Sequence, residues 1–191
     1  MNKLLCIILS AAFIFASCVT TKQNKVVSRN LSDRGVMTAR ELTDFFMANN
    51  PEADRDNVFL LAELYIQEAG AEELNSDCAF IQMCHETGFL RYGNLVPPEM
   101  HNYCGLGAID ENQRGLWFAT EREGVRAHIQ HLHAYATTED RVLKNECIDP
   151  RYKYVRPRGK SATIEGLAGT WAADRQYSEK LEQLLVRLET R

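Results

Sequence analysis

The chain has 191 residues, 25% of them charged and 45% hydrophobic, and a formal net charge of −4. This mixture is typical of one globular domain and excludes a disordered or collagen-like chain. The acidic balance argues against a nucleic-acid partner, since such proteins normally carry a basic excess.

The first 18 residues have the pattern of a bacterial lipoprotein signal. Lys3 precedes an apolar run over 4–16, which is shorter than the roughly 20 residues that span a bilayer as a helix. The run ends in Phe15-Ala16-Ser17-Cys18, which resembles a lipobox. We therefore expect a signal peptide over 1–17, lipidation of Cys18, and a lipid-anchored place in the bacterial envelope, at the outer membrane or a periplasm-facing membrane. The alternative is an ordinary secretory signal with a chance cysteine.

Residues 18–36 are polar and lack a clear period, which predicts a flexible tether carrying the lipid. The folded domain is then expected over 37–191. It holds four cysteines, Cys78, Cys84, Cys104 and Cys147, which permit two disulfides in an oxidising compartment or remain buried free thiols. Pairing of Cys78 with Cys84 is disfavoured because they lie on nearly opposite faces of one predicted helix.

Helical patterns dominate this domain. The first predicted helix begins with a capping box at Thr38 and Glu41, the second runs from after Pro51 to Gly70, and the third from Ser76 to Gly88. The fourth begins with a capping box at Thr120 and Glu123, and the last two cover 163–173 and 178–188.

Two segments break the helical pattern. Prolines, glycines and short apolar pieces over 97–118 predict a small hairpin or irregular β lobe. Residues 149–162 form a basic, aromatic loop. The fold class is therefore mainly α with a small β lobe, and a cleft between the two parts is the expected ligand site.

Glu86 is the candidate catalytic residue. It ends an otherwise apolar helix, where the helix dipole and desolvation both raise the pKa of a carboxyl group. A carboxylic acid that stays protonated near neutral pH can protonate the leaving oxygen in glycosidic bond cleavage. The alternative is an exposed glutamate paired with Arg91.

Other catalytic patterns are incomplete. A zinc-binding HExxH motif would need histidine at Phe89, and His128, His131 and His133 lack a carboxylate or cysteine to complete a metal site, so partly exposed histidines and no metal are expected. A nucleophilic pair of Cys104 with a histidine remains possible from spacing alone.

Three motifs in order carry a family resemblance. They are Glu86-Thr87-Gly88, Asn102-Tyr103-Cys104-Gly105-Leu106-Gly107-Ala108, and the stretch from Trp171 through Asp174-Arg175-Gln176-Tyr177 to Leu181. Together they resemble the bacterial glucosaminidase family of peptidoglycan hydrolases, glycoside hydrolase family 73, over about 77–188. Gly107 and Arg175 depart from the usual lysine and proline of that family.

The resemblance implies a lysozyme-like fold and hydrolysis of the β-1,4 bond on the reducing side of N-acetylglucosamine in peptidoglycan. It assigns Glu86 as the catalytic acid, brings Tyr177 near it, and places Asn102, Gly105 and Leu106 in the cleft. It also implies that the binding partner is the glycan strand of peptidoglycan and that no cofactor is needed. We expect a monomer that contacts the membrane through its N-terminal lipid.

The second catalytic group is open. Asp110, Glu111 and Glu99 lie in the predicted β lobe, and Glu111 is preferred, although the substrate's own 2-acetamido group can replace a protein carboxylate. Tyr103, Trp117 and Trp171 are candidates for stacking on sugars, Trp171 being the one more expected to be buried. The alternative functions are a non-catalytic peptidoglycan-binding lipoprotein, or a muramidase or lytic transglycosylase on the same scaffold.

Overall fold

The computed structural model describes residues 25–93 and 95–191 and is mainly helical. Its helices are α1 (Ala39–Asn49), α2 (Arg55–Ala71), α3 (Ser76–Glu86), α4 (Glu121–Ala136) and α5 (Tyr177–Glu189). Between α3 and α4, strands β1 (Ala108–Asp110) and β2 (Gln113–Arg114) pair antiparallel in a two-stranded sheet. The predicted mainly α fold with a small β lobe is confirmed.

The predicted capping box is complete at the start of α1 and half formed at the start of α4, where the Glu123 carboxylate accepts the N–H of Ala119 instead of that of Thr120. Thr38 Oγ1 accepts the Glu41 backbone N–H at 3.2 Å, and the Glu41 carboxylate accepts the Thr38 N–H at 2.7 Å. At α4, Thr120 Oγ1 likewise accepts the Glu123 N–H at 3.2 Å. These bonds satisfy backbone donors that the first helical turn leaves unpaired.

Helix α3 lies at the centre of the core. Nine of its eleven residues are buried, and only its last two, His85 and Glu86, are partly exposed. It contacts all four other helices. Glu86 therefore lies at the point where an otherwise buried helix reaches the surface.

The helix predicted over 163–173 is wrong. The segment forms a single 3₁₀ turn, Glu165–Leu167, followed by irregular backbone. Gly169 has φ of +76°, a left-handed conformation that interrupts a right-handed helix. The hydroxyls of Ser161 and Thr170 also donate to the carbonyl oxygen of Gly166, at 2.7 and 2.5 Å, and so compete with a backbone N–H for that acceptor.

The flexible tether predicted over 18–36 is wrong for residues 25–36, which pack on the helical body. Val27 and Leu31 are buried in the main core, and Leu31 N–H donates to the Ala162 carbonyl at 2.9 Å. Arg29 lies 2.6 Å from Glu182 and also pairs with Glu189, both on α5. The predicted signal peptide, the lipidated Cys18 and the remainder of the tether lie outside the described residues.

The cysteines of the domain are free thiols: Cys78, Cys84 and Cys104 are buried, and Cys147 is exposed. Among the described residues, no helix has both the length and the apolar character needed to cross a membrane.

Candidate active site

Glu86 borders a cavity of about 180 Å³ between the helical body and the β lobe. Immediately after Glu86 the backbone leaves the helix, because Gly88, Phe89 and Leu90 adopt left-handed φ values of +57°, +58° and +57°. The other residues that line the cavity are Thr87, Tyr92, Leu95, Val96, Asn102, Gly105 and Ala108.

Two side chains donate to the same oxygen of Glu86. The Tyr177 hydroxyl donates to Oε1 at 2.5 Å, and Trp171 Nε1 donates to Oε1 at 3.0 Å. Burial raises the pKa of Glu86, the two hydrogen bonds lower it, and the net pKa lies above its ordinary value. Arg91 instead donates to backbone carbonyls of Gly88 and Asn49, so Glu86 is not its partner.

Asn102 shapes the loop that forms the opposite wall. Its Nδ2 donates to the carbonyls of Leu106 and Leu116 at 2.9 and 3.1 Å, and its Oδ1 accepts the Leu106 N–H at 2.8 Å. Gly105, with φ of +64°, lines the cavity beside it, while Leu106 is buried behind the loop. The amide of Asn102 is therefore used in holding the wall.

The two aromatic residues Tyr103 and Trp117, both candidates for stacking on sugars, differ in their exposure to solvent. Tyr103 is 3% exposed, packed in the main core with its ring close to Gly124 of α4, so the prediction that it stacks on sugar is wrong. Trp117 is 67% exposed, which leaves its ring free to contact a ligand.

The candidate second carboxylates occupy different settings in the β lobe. Asp110 Oδ1 accepts the N–H groups of Asn112 and Gln113 at 2.8 and 3.0 Å, so it stabilises the β-turn. Glu99 is exposed on a 3₁₀ turn. Glu111 is exposed and lines a cavity of about 730 Å³ that shares Leu95 with the cavity at Glu86. Of the three, Glu111 is the one whose cavity adjoins that of Glu86.

Comparison with known proteins identifies the family. Residues 62–190 match the glucosaminidase model, described as mannosyl-glycoprotein endo-beta-N-acetylglucosaminidase. The chain belongs to the glucosaminidase family. A protein of Borreliella burgdorferi, described as uncharacterized, is 39% identical over 158 residues, which are 83% of this chain and 76% of that protein. No solved structure matches the chain.

His128, His131 and His133 of this glucosaminidase domain are buried, which corrects the prediction that these three side chains are partly exposed. His128 bonds to Tyr65 and Gln82, His131 lies 2.8 Å from Asp149, and His133 Nδ1 lies 3.0 Å from the Tyr152 hydroxyl. Within the described ranges, no group of three histidine, cysteine or acidic residues is arranged to hold a metal ion.

Cys104 is unsuited to act as the nucleophile of the domain. Burial raises the pKa of its thiol well above the usual value, and nearby Glu86 and Asp149 raise it further. Because the thiolate is the nucleophilic form, a cysteine in this setting is inert at neutral pH.

Trp171 is the site residue whose role the sequence did not indicate. Its indole packs against the rings of Tyr135, His131 and His128, with centroids 5.0, 5.2 and 5.8 Å away. This packing aims Nε1 at Glu86 from 85 residues along the chain. No local motif signals a contact of that separation.

Proposed function

We propose that the protein hydrolyses peptidoglycan at the β-1,4 bond on the reducing side of N-acetylglucosamine, with Glu86 as general acid and base. The observation that carries the proposal is the setting of Glu86. Its carboxyl group is partly buried, its pKa lies above the ordinary value, and it borders a cavity in a domain of the glucosaminidase family. Such a group remains protonated closer to neutral pH than an exposed glutamate.

The hydrogen bonds to Glu86 fit both halves of this reaction. When Glu86 gives its proton to the leaving oxygen, negative charge develops on the carboxylate. Tyr177 and Trp171 already donate to Oε1 and stabilise that charge. The carboxylate then accepts a proton from the attacking water, which restores the acid.

We propose Glu111 as the second carboxylate. It is exposed in the turn between β1 and β2, and its cavity shares Leu95 with the cavity of Glu86. From that side it can stabilise positive charge on the sugar ring while Glu86 deprotonates the water, or it can activate the water itself, in which case Glu86 acts as acid alone. If the substrate's 2-acetamido group attacks instead, Glu111 is not required.

We further propose that the glycan strand lies along the two adjoining cavities, with the exposed ring of Trp117 as a stacking surface. Aromatic rings bury the apolar faces of sugars, and the larger cavity has room for additional sugar rings. The wall held by Asn102 and Gly105 supports the sugar next to Glu86.

Product analysis tests the reaction. The purified protein and Glu86→Gln are incubated with peptidoglycan, and the fragments are reduced and identified by mass spectrometry. Reduced N-acetylglucosamine ends, formed by the native protein and lost in Glu86→Gln, support the proposal. Reduced N-acetylmuramic acid ends would show a muramidase, and anhydro ends a lytic transglycosylase. Sedimentation with the wall without cleavage would show a binding module.

We also propose that the protein is anchored in the bacterial envelope through a lipid on Cys18. Support comes from the sequence Phe15-Ala16-Ser17-Cys18 after a short apolar run. The native protein should enter the membrane fraction with an acylated N-terminal peptide, and Cys18→Ser should lose both properties. An unmodified cysteine in a membrane-free protein would overturn this proposal.

A further inference from the structure

A continuous line of hydrogen bonds runs from Glu86 into the core. Tyr177 donates to Glu86 Oε1 at 2.5 Å, and Gln82 Nε2 donates to the Tyr177 hydroxyl oxygen at 2.9 Å. Gln82 Oε1 lies 3.1 Å from His128 Nε2, and His128 Nδ1 lies 2.8 Å from the Tyr65 hydroxyl. Helices α2, α3, α4 and α5 each contribute to this buried network of Tyr65, His128, Gln82, Tyr177 and Glu86.

The core members of the network are enclosed by protein. Tyr65 and His128 are 0% exposed and Gln82 is 1% exposed. Burial lowers the pKa of His128 to about 3, with a further contribution from His131, so its ring is neutral and carries one N–H. Each polar atom in such a setting must find its partner within the network.

The pairing dictates a direction. In the described part of the chain the hydroxyl of Tyr65 has one hydrogen-bond partner, His128 Nδ1, so we infer that it donates there and that the single N–H of the neutral ring is on Nε2. That N–H requires the carbonyl oxygen of Gln82, which turns the Gln82 amino group toward Tyr177. Tyr177 then accepts from Gln82 and keeps its own hydrogen for Glu86.

The opposite direction is costly at the core end. If Tyr177 donated to Gln82, the Gln82 amide would be flipped and His128 would donate from Nδ1 to Tyr65. The hydroxyl hydrogen of Tyr65 would then lack an acceptor in the core, because His128 is its side-chain partner among the described residues. An unpaired buried donor is destabilising. The far end of the network thus selects the direction observed at Glu86.

We infer that Gln82 and His128 are positioning residues, which keep Tyr177 donating to Glu86 Oε1 and so leave Oε2 to carry the proton for the leaving oxygen. Both protein donors to Glu86 reach Oε1, and in the described part of the chain no hydrogen bond is made to Oε2. This inference rests on the proposed function only for its kinetic consequence. The direction of the network is a property of the protein alone.

Titration of Glu86 by carbon-13 NMR tests the inference without an activity assay. The carboxyl signal of Glu86 is identified by its loss in Glu86→Gln. Gln82→Met removes the donor to Tyr177 while keeping side-chain length, so Tyr177 becomes a weaker donor and the Glu86 pKa should rise by about one unit. The nearby groups Tyr177, Tyr92 and Cys104 stay neutral, because burial raises the pKa of each.

Double variants distinguish positioning from a general structural role. If Gln82 acts through Tyr177, then Gln82→Met should shift the Glu86 pKa in the native background and have no further effect in Tyr177→Phe. His128→Gln retains a donor near Nε2 and should preserve the native titration, whereas His128→Leu should raise the Glu86 pKa. Tyr65→Phe removes one oxygen only and should give a smaller rise in the Glu86 pKa. This variant provides the test if the larger substitutions fail to fold.

Gln130→Met is the matched control. Gln130 is a buried glutamine on α4 that bonds to Glu146, Ile148 and Asp149, outside the network. Its loss should lower stability and leave the titration of Glu86 unchanged. A shift in Gln130→Met equal to that in Gln82→Met would overturn the inference, as would an unchanged pKa in a folded Gln82→Met protein.

The kinetic readout links the network to the reaction. With a peptidoglycan oligosaccharide, Gln82→Met should lower kcat about tenfold and leave KM within twofold, while the alkaline limb of the kcat profile moves to higher pH. If the native protein hydrolyses no glycan, the proposed function fails while the NMR titration still decides the inference. A change confined to KM would contradict a role in positioning the acid.

Discussion

At Glu86, burial and hydrogen bonding act on the same carboxyl group in opposite directions. Burial favours the neutral acid, whereas Tyr177 and Trp171 favour the carboxylate. The balance keeps the pKa above its ordinary value without excluding ionisation, which suits a group that must both give and take a proton. The environment of one residue therefore accounts for the proposed acid and base roles.

Trp171→Phe should test the indole donor. The hydrogen bond from Trp171 lowers the pKa of Glu86, so its loss raises that pKa and keeps the acid protonated to higher pH. We expect kcat to fall about tenfold and the alkaline limb of its pH profile to move upward. Tyr154→Phe, at an exposed aromatic position outside the site, should show the native profile. A downward movement of the limb in Trp171→Phe would contradict the assigned role.

Glu111→Gln should decide the second catalytic group. If Glu111 activates water, the substitution removes the base and kcat should fall at least about 100-fold. The melting temperature should stay unchanged, because Glu111 is exposed. Steady-state hydrolysis of glycan oligosaccharides gives the answer, with Glu99→Gln as control. A native rate in Glu111→Gln would instead assign the attack to the substrate's acetamido group.

At the scale of the elements, the helix starts were readable because their signals are local. Thr38 with Glu41 and Thr120 with Glu123 lie within one turn of each other, and the structure confirms both starts. The segment 163–173 misled because its apolar spacing fits a helix, whereas its conformation depends on Gly169 and on hydroxyl bonds to Gly166. Competition from side-chain hydrogen bonds is invisible to periodicity.

The first turn of α1 should make stability depend on acid pH. Burial alone would raise the pKa of Glu41, but hydrogen bonds from Lys25 and Thr38 lower it to about 2 from an ordinary value of 4.5. A lowered folded-state pKa stabilises the protein above about pH 4.5, and this contribution is lost as the pH falls toward 2. Urea unfolding of Glu41→Gln should therefore show a shallower loss of stability over that range than the native protein. Glu52→Gln, at an exposed position, should follow the native curve.

At the scale of the whole molecule, residues 25–36 belong to the folded body. Their composition is polar, but Val27 and Leu31 enter the core, and Arg29 joins the segment to α5. A polar segment with two well-placed apolar residues resembles a linker when read alone. Its burial depends on a groove made by distant parts of the chain.

Leu31→Ala should measure how far this segment supports the fold. Leu31 is 1% exposed, and replacing a buried leucine by alanine costs about 2–5 kcal/mol of unfolding free energy. Val26, which is 78% exposed, provides the control, since Val26→Ala should change stability by less than about 0.5 kcal/mol. Chemical denaturation monitors both. Equal stabilities of the two variants would contradict the packing of residues 25–36 and support the flexible tether predicted from the sequence.

The sequence by itself determined the helical class, the β lobe, the position of Glu86 at a helix end and the resemblance to the glucosaminidase family. These rest on caps, periodicity and short motifs, whose physical causes act within a few residues. Tertiary structure alone decided that Trp171 and Tyr177 share one oxygen of Glu86, that Tyr103 is buried, and that residues 25–36 pack on the core. Those contacts join residues that are far apart in the sequence. They exist because packing brings separate faces together, and no local pattern encodes which faces meet.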